Sequence, residues 1–151
     1  MTIVEETPSP RLTHKAIFTP AFELRPDHLP SKADGILLWR LSIDDVTFLR
    51  RTFWPPGVWS LDDRYFAVTE VAGYLIPPPS LSVDTRLIVI DVAHHLECLV
   101  AKQTRGDVLP QAFESDVLVF TRETDGARGF KYVREITFTA FKTWVPISPP
   151  R

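Results

Sequence analysis

The sequence predicts a mainly β protein, a single-domain antiparallel sandwich or barrel with one short helix at about 91–104. Three observations predict it. Prolines outnumber glycines 14 to 6, and residues that lack a backbone donor and have a fixed φ disfavour long helices. Short runs of β-branched and aromatic residues recur along the chain, separated by turn-forming residues. Asp125-Gly126 and Gly129 lie between two such runs and supply the positive φ values of a hairpin loop.

In chain order, residues 1–13 are acidic, proline-bearing and without strong alternation, which predicts a flexible N-terminal arm. A β-rich domain is expected over 14–145. Its first strand candidate, 14–24, is interrupted by Pro20 and followed by a polar turn. The runs 36–43 and 46–54 are candidates on either side of Asp44-Asp45, and 64–76 is the next. The "PPPS" stretch at 77–80 reads as a stiff crossing within one domain, because either half alone would build only a marginal core. Residues 85–90 form a short, fully apolar strand candidate, and 115–122 pairs with 130–144 across the glycine-bearing loop. Residues 146–151, ending in "SPPR", read as a proline-rich C-terminal tail.

The stretch "DVAHHLECLVAK" at 91–102 fits two geometries. As a helix it places Val92, Ala93, Leu96, Leu99 and Val100 on one stripe, with Asp91 as N-cap. As a strand it aligns Ile88, Ile90, Val92, Leu96, Cys98 and Val100, with His94 as a polar intruder. The change from β-branched residues to helix formers after Ile90 favours the helix. Its crowding of His94, His95, Glu97 and Cys98 matches neither a His-Glu-x-x-His helix nor a Cys-x-x-Cys pair. The remaining imidazoles, His14 and His28, lie in turn-like segments, so no metal site and no cofactor is expected. Asp44-Asp45 and Asp62-Asp63 border turns, where aspartate bonds its own backbone.

The stretch "FLRRTFWPPGVWS" at 48–60 is the best candidate for recognition. Pro56-Gly57 suits the centre of a type II turn that would fold Trp54 and Trp59 toward each other. With Phe53, Arg50 and Arg51 these tryptophans form the expected binding residues, through aromatic and cation–π contacts. The same tryptophans also suit a barrel core, the commoner place for them.

A net charge of −2 gives no general attraction to nucleic acid or anionic membranes. One cysteine forms no intrachain disulfide, which suits a reducing compartment. Residues 1–15 hold no apolar segment of a secretory signal, and the longest apolar run is broken by Asp91. A cytoplasmic protein without membrane insertion is expected. No catalytic motif is present, so the expected function is a non-enzymatic binding or assembly module acting through protein–protein contacts. Self-association into a homo-oligomer is expected, in the manner of a viral or phage structural or accessory protein. One alternative is a small β-barrel ligand-binding protein or enzyme with an apolar cavity, using Glu70, Glu135 or His94. Another is single-stranded nucleic-acid binding through Phe48, Arg50, Arg51, Phe53 and Trp54, which the net charge does not favour.

Overall fold

The computed structural model describes residues 4–24, 35–75, 82–124, 132–141 and 143–147. The chain is mainly β, as the sequence predicts. Among the described residues twelve strands follow in order: β1 (Glu5–Pro8), β2 (Lys15–Leu24), β3 (Ile36–Ile43), β4 (Val46–Thr47), β5 (Thr52–Trp59), β6 (Tyr65–Leu75), β7 (Ser82–Asp91), β8 (Leu96–Gln103), β9 (Gly106–Glu114), β10 (Val117–Thr124), β11 (Tyr132–Thr137) and β12 (Trp144–Pro146). Among the described residues a 3-10 turn spans Phe138–Ala140. No helix among the described residues is long and apolar enough to cross a membrane.

The strands form two antiparallel sheets. The larger runs β1-β2-β3-β5-β6-β7-β8-β12, with β4 also on β3; the smaller runs β11-β10-β9. Alternation along β6 and β7 decides the layering, because successive side chains leave opposite faces of a strand. Phe66, Val68, Ile88 and Ile90 enter one core with Phe18, Trp39, Leu41 and Phe53 of β2, β3 and β5. Ala67, Leu87 and Val89 enter a second core with Val108, Phe113, Leu118 and Phe120 of the smaller sheet. The large sheet is thus buried on both faces through its middle. Two threonines tie the sheets together: Thr69 donates to the Val108 carbonyl at 2.7 Å, and Thr85 donates to the Gly106 carbonyl at 2.8 Å.

The expected helix at 91–104 does not form. Residues 92–95 make a turn, and β8 returns along β7 in register from Asp91↔Leu96 to Thr85↔Gln103. Asp91 still acts as an N-cap would, accepting the His94 amide at 3.3 Å, but no helix propagates. An adjacent apolar strand with a free edge offers ladder bonds and burial together, and these outweigh a weak local helical preference.

Four other expectations change. Residues 46–54 are not one strand: the chain turns at Leu49-Arg50, with Arg50 at φ 61°, between β4 and β5. Pro56-Gly57 is not a tight turn but part of a bulge in β5, where pairing to β6 lapses between Trp54 and Val58. Prolines have no donor for a ladder and settle at bulges. Gly57 is needed there because a Cβ would strike the Phe66 ring. Residues 5–8, expected in a free arm, pair with β2 from Glu5↔Phe18 to Pro8↔Lys15. Pro146 of the expected tail lies in β12, while 148–151 fall outside the described residues. The β10–β11 pairing holds as predicted, from Val117↔Thr137 to Arg122↔Tyr132; its loop lies outside the described residues.

Candidate functional site

Four turns converge at one end of the fold: 9–14, 44–45, 60–64 and 92–95. Hydrogen bonds between them fix the convergence. Asp63, buried and at φ 64°, accepts from the hydroxyls of Ser9 and Thr13, each at 2.6 Å, and from the amides of Arg11 and Thr13. Burial pushes the Asp63 carboxyl up, but these donors outweigh it and hold it at about 2. Asp44 Oδ2 lies 2.8 Å from His14 Nδ1, and Asp44 Oδ1 accepts the Lys15 amide at 3.1 Å. The Val92 amide donates to the Arg64 carbonyl at 3.1 Å.

Between these turns lies a cleft of about 330 Å³. Its floor is apolar, from Ile43, Phe48, Ile90, Val92 and Ile147; His14, Asp44, Asp45 and His95 are its polar lining. The Ile147 amide donates to the His95 carbonyl at 3.1 Å, which draws the chain after β12 against the cleft. Asp44 and His95 both take left-handed backbone conformations, each at φ 53°. Asp and His tolerate this region better than other non-glycine residues. Leu12 and Leu61, on the two turns joined by Asp63, are 78% and 69% exposed.

Arg51 occupies a partly buried charge cluster. Its Nε and Nη2 donate to Glu70 at 2.7 and 3.1 Å, and its Nη1 and Nη2 donate to Glu97 at 2.8 and 2.9 Å. The guanidinium also lies 5.6 Å from the Phe48 ring centre and 5.5 Å from that of Phe53. Burial would lower the Arg51 pKa, but the hydrogen bonds and charges of Glu97 and Glu70 raise it above the ordinary arginine value. A second cluster centres on buried Asp91, which accepts from Arg64 at 3.2 Å and lies 3.1 Å from His94 Nδ1.

The five residues expected to bind do not form one surface. Phe53 is fully buried, and Trp59 is buried with its Nε1 donating to the Thr7 carbonyl at 2.8 Å. Trp59 pairs with Phe66 and Trp54 with Thr69, so the two indoles leave opposite faces of β5 rather than lying side by side. Half-buried Trp54 packs against the core formed by Leu24, Leu38, Val71 and Val83. Arg51 is engaged by two carboxylates, and Arg50 alone of the five is exposed. Of the polar groups considered for an apolar cavity, Glu70 holds Arg51, Glu135 is exposed on β11, and His94 faces Asp91; none lines the cleft. Among the described residues, no three His, Cys, Asp or Glu side chains are grouped to hold a metal ion.

The site at the turn end is built from residues that the sequence marked only as turn formers or spare imidazoles. A signal was present, since Asp44-Asp45, Asp62-Asp63 and His94-His95 each sit at a chain reversal. Comparison with known proteins adds no relative: no family model, curated protein or solved structure matches the chain.

Proposed function

We propose that this chain is a non-enzymatic binding or assembly module that acts through protein–protein contacts, with a second copy of itself as partner at the turn end. The observation that carries the proposal is the pairing of exposed leucines with a rigid support. Leu12 and Leu61 project from turns that Asp63 locks together, beside an apolar-floored cleft. Apolar groups held in place before contact lose less entropy on docking, and loops on a rigid scaffold are the usual place for recognition. The strand edges argue for the turn end as the contact. β1 and β12, the outer strands of the large sheet, are four and three residues long and each ends in proline. Short, proline-capped edges are poor templates for strand addition.

The non-enzymatic part rests on how the buried acids are used. Asp63, Glu70 and Asp91 each accept from donors that hold separate segments together. Sedimentation velocity over a concentration series tests the reading. Wild-type protein is expected to associate as concentration rises, and Leu12→Asp/Leu61→Asp to remain monomeric. Equal behaviour of the two proteins overturns it.

The volume of the cleft favours one second reading, a carrier of a small apolar ligand. About 330 Å³ lies near the lower bound of small-molecule sites, roughly 300 Å³. Saturable uptake of a small apolar fluorophore, abolished by Val92→Trp while association is unchanged, would favour that reading over the first.

A further inference from the structure

A second groove, of about 300 Å³, shares no lining residue with the cleft at the turn end. Three arginines line it, Arg40 from β3 and Arg50 and Arg51 from the turn before β5, and among the described residues no carboxylate does. On a chain of net charge −2 this is a local reversal of sign. Arg51 is committed to Glu70 and Glu97. Arg40 and Arg50 are exposed, and neither forms an ion pair with a described residue. Two aromatic side chains border the same groove, Phe22 at 48% and Tyr74 at 52% exposure.

The positive character continues beyond the groove. Ala72 also lines a neighbouring depression that carries Arg86 and Lys102. Those two residues are direct cross-strand partners, and like charges so placed repel. Asp84, the one carboxylate of that depression among the described residues, accepts the Arg105 amide at 2.8 Å. A track of cations with aromatic faces at its border fits a ligand that alternates phosphates with planar rings.

We propose that this groove binds single-stranded nucleic acid, with Arg40 and Arg50 on phosphates and Phe22 and Tyr74 as stacking faces for bases. Cationic grooves combined with aromatic platforms bind single strands without strict sequence preference. The residues differ from those the sequence suggested, since Phe48 and Phe53 are buried in the core. Arg50 is common to both.

Fluorescence anisotropy with a labelled twelve-nucleotide oligothymidylate tests the proposal. Saturable binding is expected, with a log–log salt slope of about −1.4, from roughly −0.7 per neutralised phosphate on a single strand. Arg40→Ala/Arg50→Ala should weaken binding at least about tenfold and bring the slope toward zero. Phe22→Ala should weaken it about fivefold or more without changing the slope, as loss of one stacking face does. Arg11→Ala, at the other site, should leave binding unchanged. Thymidine monophosphate should compete weakly, because it spans one phosphate of the track. Three results overturn the proposal: no saturable binding, binding that the double arginine variant keeps within twofold, or equal competition by polyglutamate. The last would assign the groove to acidic peptides.

Discussion

The Asp63 carboxylate accepts the Ser9 hydroxyl at 2.6 Å across 54 positions of sequence. With Thr13 and two backbone amides as further donors, it closes the turn after β1 onto the turn before β6. Asp63→Ala should leave these donors without an acceptor while β1 and β2 still pair. Amide exchange at Arg11 and Thr13 should accelerate, and trypsin should cleave after Arg11 at a concentration that leaves wild-type protein intact. An unchanged exchange rate would show that the turns hold without the carboxylate.

The same contact sets a pH dependence. Asp63 has a folded pKa of about 2 against an ordinary 3.8, so between these values the folded state binds fewer protons than the unfolded state. Its contribution is complete above about pH 4 and fades as pH falls toward 2. Wild-type protein should therefore lose melting temperature over this window more steeply than Asp63→Asn, whose side chain does not titrate. Parallel curves would contradict the assignment.

Arg51 balances two carboxylates, buried Glu70 and half-buried Glu97. Arg51→Met removes the cation and strands both acids, which should cost about 3 kcal/mol or more in urea denaturation. The triple variant Arg51→Met/Glu70→Leu/Glu97→Leu should recover most of that loss, because it removes the desolvated charges together. Arg51→Lys should not rescue, since an ammonium cannot donate bidentately to both partners. A cost of less than about 1 kcal/mol for Arg51→Met would place this pair in the class of weak surface bridges.

Cys98 lies buried between the sheets, and burial raises its thiol pKa while a hydrogen bond from the Thr143 backbone opposes the rise. A protonated, covered thiol reacts slowly. Modification by a disulfide reagent at neutral pH should be slow in the folded protein and fast in denaturant. Rapid labelling of native protein would show that the region of β12 opens readily.

Much of the fold is legible in the sequence, because alternation and turn chemistry act locally. The 36–43 strand candidate corresponds to β3 residue for residue, and the pairing of β10 with β11 follows from the glycine-bearing loop between them. β9 is harder to read, since Pro110 interrupts it; an edge strand tolerates that proline at the bulge opposite Phe120. β8 reads as a helix until its partner β7 is in view. The site was less legible than the fold. His14, Asp44, Asp63 and His95 come from turns whose convergence depends on how the large sheet curves, which no local pattern records. The paired indoles fail as a platform because Pro56-Gly57 makes no tight turn: the two extra residues of the bulge keep the alternation of β5, so positions 54 and 59, an odd number of residues apart, fall on opposite faces.

Concentration-dependent hydrogen exchange addresses the turn end most directly. On raising the protein from dilute to associating concentrations, the segments 9–14, 44–45, 60–64 and 92–95 should gain protection together, with Leu12→Asp/Leu61→Asp showing none of that gain. Protection appearing instead along β1, β12 or β11, or no change at any concentration, would contradict the proposal that these turns form the contact surface.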